Sequence, residues 1–96
     1  MVDVIVSNAK KEDELNAGLK IYEELKSNGI STIIDDRTKE RFGFKMGDFE
    51  LIGFPYAVVV GKKLQDGLVE IVDRRDTGSK IEIAIDEVAT KLKELI

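Results

Sequence analysis

A chain of 96 residues, 43% apolar and 35% charged, has the length and balance of a single globular domain. It contains neither cysteine nor histidine. That excludes a disulfide framework, a dithiol redox centre, thiolate or imidazole metal ligands, and any Ser-His or Cys-His nucleophile couple. The net charge of −4 argues against a protein that coats nucleic acid through bulk charge, while leaving room for a small local basic site. With no tryptophan, four phenylalanines and two tyrosines, little is left for an aromatic base-stacking platform. The longest apolar run, Tyr56–Val60, is far short of the roughly 20 residues that span a bilayer. The segment after Met1 is acidic and already periodic, unlike a signal peptide, so a soluble cytoplasmic domain is expected.

In chain order, the β-branched run Val2–Val6 predicts a buried strand. Ser7 and Asn8 follow it, both helix-capping types. From about Lys11 to Asn28 the period changes: Leu15, Leu19, Tyr22 and Leu25 form one helical stripe, with Glu12, Asp13 and Glu14 at the dipole's positive end. Gly29 is placed as the glycine just past the helix, and Ile30 as its apolar contact. Ser31–Ile34 reads as a second strand, ending at Asp35-Asp36-Arg37. Lys45–Ile52 can form about two helical turns, stopped by Gly53 and Pro55. Tyr56–Val60 is apolar throughout and belongs in the centre of a sheet covered on both faces. Gly61–Gly67 reads as a loop, Leu68–Asp73 as a strand hairpinned to Tyr56–Val60, and Arg74–Lys80 as a polar turn centred on Gly78. Ile81, Ile83 and Ile85 alternate as a short extended lead-in to a closing helix marked by Ile85, Val88, Leu92 and Leu95. The expected fold is α/β, three-layered, with a mixed, mostly parallel sheet of four to five strands and three helices.

Tests for chemistry are mostly negative. The turn Ser7-Asn8-Ala9-Lys10 has no glycine, and a phosphate cradle needs bare backbone N–H groups at a helix start. Asp35 and Asp36 are adjacent, so in a continuing strand they face opposite ways, and the simpler reading is a strand end with Arg37 paired or in solvent. Glu50 with Asp48 or Glu40 resembles a glycosidase carboxylate pair, but no apolar pocket supports raised pKa values there. No residue set here looks able to do covalent chemistry alone. The cations are more informative. Nine of the fifteen Lys and Arg lie between Arg37 and Lys80: Arg37, Lys39, Arg41, Lys45, Lys62, Lys63, Arg74, Arg75 and Lys80. They form either a basic site or a solvated rim.

The stretch Asp35-Asp36-Arg37, then Gly43-Phe44-Lys45-Met46-Gly47-Asp48-Phe49-Glu50-Leu51-Ile52-Gly53-Phe54-Pro55, then Gly61 and Arg74-Arg75, resembles the C-terminal anticodon-binding domain of class II aminoacyl-tRNA synthetases. Within that group the block G-x-K-x-x-D-x-E-L-x-G-x-P after D-D-R is most similar to the bacterial prolyl enzymes. The resemblance covers nearly the whole chain, 1–96, as one domain, an excised C-terminal fragment of a longer enzyme. It implies a domain that reads a tRNA anticodon for a proline–tRNA ligase, with the catalytic residues, ATP and magnesium belonging to the rest of the parent, a cytoplasmic homodimer. No cofactor and no metal are expected in this segment.

Proline codons imply two adjacent guanines in the anticodon, read as unstacked bases on their Watson–Crick edges. The resemblance places a base-stacking residue at Met46 and an acid one turn later at Glu50. It places a loop contact at Lys63, with Lys62 and Asp66 beside it, and a basic tip at Arg74, Arg75 and Lys80. Two departures stand out: Met46 replaces an aromatic, and Leu64 occupies a position that is acidic in some relatives. Each residue also has a plainer reading. Met46 can fill a core gap, Glu50 can pair with Lys45 or Arg41, and Arg74 can pair with Asp73 or Asp76. Two other functions compete: a non-catalytic relative acting in dimerisation or regulation, and a small flavodoxin-like domain that binds a phosphorylated metabolite.

Overall fold

The computed structural model describes residues 2–8, 10–36, 42–74 and 76–95, with side chains excepted at 42–44, 48, 50 and 76–79. Among the described residues five strands and three helices follow one another: β1 (Val2–Val6), α1 (Glu12–Ser27), β2 (Thr32–Asp35), α2 (Phe42–Ile52), β3 (Tyr56–Val60), β4 (Leu68–Asp73), β5 (Asp76–Ala84) and α3 (Val88–Leu95). Short 3₁₀ helices, Lys62–Asp66 and Ile85–Glu87, precede β4 and α3. The sheet order is β2-β1-β3-β4-β5. β1 runs parallel to both β2 and β3, whereas β3–β4 and β4–β5 are antiparallel, so the pairings divide evenly between the two kinds.

Every residue of β1 and β3 is buried, as expected for strands covered on both faces. On one face Val2, Val4, Tyr56, Val58, Val60, Val69 and Ile71 pack against Ile21 and Leu25 of α1 and Val88, Ala89 and Leu92 of α3. The Tyr56 hydroxyl donates to the Leu95 carbonyl (3.2 Å), tying the end of α3 to the sheet. On the other face Ile5, Ala57, Val59 and Val72 meet Phe49 of α2 and Phe54. Burying each of the Val, Leu, Ile and Phe side chains among them stabilises the fold by roughly 1.5–3 kcal/mol relative to exposure.

Three expectations are corrected. First, the buried stripe of α1 runs through Glu14, Gly18, Ile21 and Leu25, and Leu19 faces solvent at 39% exposure. The reason is Gly18: a Cβ there would stand 2.5 Å from Val6 Cγ2, so the bare backbone lets the helix settle onto β1. Second, Ser7 and Asn8 do not cap α1, which begins after Lys11 with no side-chain cap. Asn8 instead organises the preceding turn. Its side chain accepts from the Lys10 amide (3.2 Å), and its amide donates to the buried Glu14 carboxylate (3.1 Å). Third, Arg74–Lys80 is not a turn centred on Gly78. β5 already starts at Asp76, which pairs with Asp73, and a register irregularity lies between Val72 and Asp73.

The end of α1 matches expectation in detail. Gly29 (φ 77°) donates to the Lys26 carbonyl and Ile30 to the Leu25 carbonyl, both at 3.0 Å, the pair of bonds that defines a Schellman motif.

Candidate nucleic-acid interface

α2 covers one face of the sheet over β1 and β3 and reaches β4 at the fully buried Val72, while among the described residues no helix covers the same face of the hairpin at Lys80 and Glu82. Along β4, Val69 and Ile71 point to the α1 side, so Glu70 points to the α2 side. Cross-strand register sets Glu70 opposite Glu82, and Val72 opposite Lys80. Like charges directly opposed destabilise a ladder unless neutralised. Here two lysines neutralise them: Lys63 Nζ lies 2.5 Å from Glu82 Oε1, and Lys80 Nζ lies 4.0 Å from Glu70 Oε2. Lys63, Lys80 and Glu82 are each about half exposed (46–48%), so among the described residues no helix roofs this patch. The hydrogen bond to Glu82, reinforced by its charge, raises the Lys63 pKa above the ordinary lysine value.

The 3₁₀ helix Lys62–Asp66 presents its residues in different directions. Leu64 is half-buried against the α1-side core and anchors the element. Lys63 reaches across to β5. Lys62 lines a hollow of about 110 Å³ facing Lys11, Asp13 and Glu14 at the start of α1. Small-molecule sites usually enclose about 300–1,000 Å³, so this hollow is too small to enclose a phosphorylated metabolite. Asp66 is exposed, and Gly67 (φ 73°) closes the turn.

The remaining expected site residues divide as follows. Met46 is half-buried and packs against the α2-side core, so part of it fills the interior and part faces outward. Glu50 lies one turn further along α2; its side chain, like Arg75, falls outside the described residues. The same holds for Arg37, Lys39, Glu40, Arg41 and Asp48. Arg74 is exposed, and its amide donates to the Pro55 carbonyl (3.0 Å). That bond puts Arg74 at the opposite end of β4 from Lys62 and Lys63. At about 3.4 Å per residue the strand separates the two tips by roughly 17 Å. Lys80 stands between them, so the described cations Lys63, Lys80 and Arg74 are spread along the hairpin rather than gathered at one point.

Lys45 leaves the basic set altogether. It is fully buried, and its ammonium donates to the Val6 carbonyl at 2.7 Å, clamping α2 to the end of β1. The sequence held a signal for this, because Lys45 precedes Phe49 by four residues and shares its sheet-facing stripe. The acids Glu70 and Glu82 were missed, although the alternation of Glu82 with Ile81 and Ile83 places it on the outer face. Among the described residues, no three acidic side chains converge as metal ligands.

Comparison with known proteins adds to this geometry. The model of the anticodon binding domain family matches residues 1–95. The chain is 65% identical over 96 residues to a proline–tRNA ligase of Aliarcobacter butzleri, covering all of this chain and 17% of that protein. It is 50% identical over 95 residues to the proline–tRNA ligase of Campylobacter hominis, covering 16% of it. The chain thus spans about a sixth of the length of these curated relatives. Among solved structures, the prolyl-tRNA synthetase of Cryptosporidium parvum, complexed with L-proline and AMP, superposes with a TM-score of 0.85 at 28% identity, over 98% of this chain and 20% of that one. Sequence, sheet order and superposition agree: the chain belongs to the anticodon binding domain family.

Proposed function

We propose that this chain reads the anticodon of a proline tRNA for a ligase whose catalytic part, with its ATP and magnesium, lies elsewhere in a longer, dimeric, cytoplasmic polypeptide. The observation that carries the reading is the 65% identity to a proline–tRNA ligase, sustained over all 96 residues. The open face of the β4–β5 hairpin beside α2 is the surface assigned to the RNA. Its strand-borne side chains are held in place by the ladder, and Lys63, Lys80 and Arg74 follow its length. Glu50 accepts from guanine N1–H and N2–H₂, the exposed part of Met46 supports a neighbouring base, and the lysines and Arg74, with Arg75, donate to phosphates or to guanine O6 and N7. Lys62 and Asp66 flank the Lys63 contact. The overall negative charge limits non-specific association, and affinity from this domain alone is weak because contacts elsewhere in the parent add avidity.

Fluorescence anisotropy with anticodon stem-loops tests the proposal. A loop with two adjacent guanines should bind more tightly than loops with either guanine changed, and Glu50→Gln should erase part of that preference without unfolding the chain. Each lost phosphate contact should flatten the salt dependence by about 0.7 in log–log slope. Equal binding to every loop would refute the reading and favour a role in dimerisation or regulation.

A further inference from the structure

We infer that Glu82 is a specificity-determining residue, and that it forms with Lys63 a dyad that reads the Watson–Crick edge of one anticodon guanine. The inference rests on the anticodon reading above and goes beyond it, because Glu82 lies outside the motif that suggested that reading. Lys63 engages Glu82 Oε1 at 2.5 Å, so an ammonium and a carboxylate stand side by side on the open face of the hairpin. Both are half exposed, within reach of a base laid on that face. Glu82 belongs to β5, where the register with Glu70 fixes its backbone, and residues on strands hold a contact geometry better than residues on loops. Lys80 balances Glu70, so the repulsion that the Glu70–Glu82 pair would otherwise exert is relieved from both sides. Leu64, next to Lys63, carries no polar side-chain atom and packs against the core, so the carboxylate that stands beside the Lys63 ammonium is that of Glu82.

The chemistry selects the base. Guanine displays, in order, the O6 acceptor, the N1–H donor and the N2–H₂ donor. A lysine donating to O6 beside a carboxylate accepting from N1–H and N2–H₂ matches that order. Adenine offers a donor where guanine has O6 and an acceptor where guanine has N1–H, so both contacts become repulsive. Cost of this kind, an unmet polar group at a site built for hydrogen bonds, separates bases more strongly than shape does.

The test uses the 96-residue chain and stem-loops in which inosine replaces each of the two guanines in turn, because inosine lacks only the 2-amino group. The wild-type chain should bind each inosine loop about tenfold more weakly, a factor equal to 1.4 kcal/mol, through Glu50 at one guanine and through Glu82 at its neighbour. Glu82→Gln should lose the discrimination at its own guanine while keeping the discrimination at the other guanine, with unchanged circular dichroism. Glu82→Gln that retains both discriminations overturns the inference and leaves anticodon reading intact. A wild-type chain that distinguishes neither inosine loop nor any changed loop overturns both together. A uniform loss of affinity for all loops on Glu82→Gln means the pair only holds Lys63 in place, and also overturns it.

Discussion

Replacing Gly18 with alanine tests how α1 is seated. On an exposed helix the change would stabilise by about 1 kcal/mol, because glycine is the poorer helix former. Here the new methyl would stand 2.5 Å from Val6 Cγ2, with Ile34 Cδ1 at 3.6 Å and Val4 Cγ1 at 3.9 Å. Carbon atoms in contact prefer about 3.5–4.0 Å, so the helix must lift or Val6 must turn. Val6 is fully buried in a strand paired on both sides, which leaves it no room to turn cheaply. Overpacking costs about 1–3 kcal/mol, and a carbon–carbon approach of 2.5 Å belongs to the upper end, about 2–3 kcal/mol. Net of the helical gain, Gly18→Ala should destabilise by roughly 1–2 kcal/mol, seen as a fall in melting temperature of about 5–15 °C for a domain of this size. The assay is urea unfolding followed by circular dichroism. Gly47→Ala on α2 is the control, since nothing lies within 4 Å of its added methyl, and it should be neutral or stabilising. In a Val6→Ala background the cost of Gly18→Ala should largely vanish, a coupling of at least about 1 kcal/mol. If Gly18→Ala is as stable as the wild type, the close seating of α1 on β1 is wrong.

Other perturbations address the clamp, the helix stop and the dyad. Lys45→Ala removes a buried ammonium that bonds the Val6 carbonyl and leaves a cavity under α2; denaturant unfolding should show a loss of about 2–4 kcal/mol, and a loss below about 0.5 kcal/mol would contradict the clamp. Gly29→Ala meets no atom within 4 Å, so its cost is purely that of φ 77°, about 1–2 kcal/mol by thermal melting; an unchanged midpoint would refute that account. The Glu82 carboxylate raises the folded-state pKa of Lys63, so the pair's contribution is complete below the ordinary lysine value of about 10.4 and is lost as pH rises through the folded value. Around neutral pH, stability should therefore not vary with pH through this lysine. In an NMR titration Glu82→Gln should bring Lys63 down towards ordinary behaviour, and a titration that does not move would remove Glu82 as the cause.

Much of the scaffold was legible because apolar runs and glycines carry unambiguous local physics. Tyr56–Val60 announced a central strand, and Gly29 and Gly53 announced helix ends that the structure realises with positive φ. The phase of α1 was hidden because two stripes compete on its surface. Leu15, Leu19 and Tyr22 suggest one face, whereas the close approach allowed by Gly18 selects its neighbour, and only the position of Val6 decides between them. β5 was read short because Asp76–Ser79 has the composition of a turn, and its strand conformation comes from pairing with β4 rather than from local preference. The motif block led to Met46 and the Lys63 tip, but it could not show that Lys63 is ion-paired or that Lys45 faces inward. Both depend on residues far away in sequence, Glu82 and Val6.

The hairpin of β4 and β5 divides its labour by parity. Val69, Ile71 and Ile83 turn towards the core under α1 and α3, while Glu70, Lys80 and Glu82 turn to the other face, where only Val72 of the hairpin is packed beneath α2 among the described residues. Exchanges at Glu70 and Glu82 therefore leave the α1-side core untouched, so descendants of this domain can change the charge of that surface through single substitutions without first gaining stability to spare.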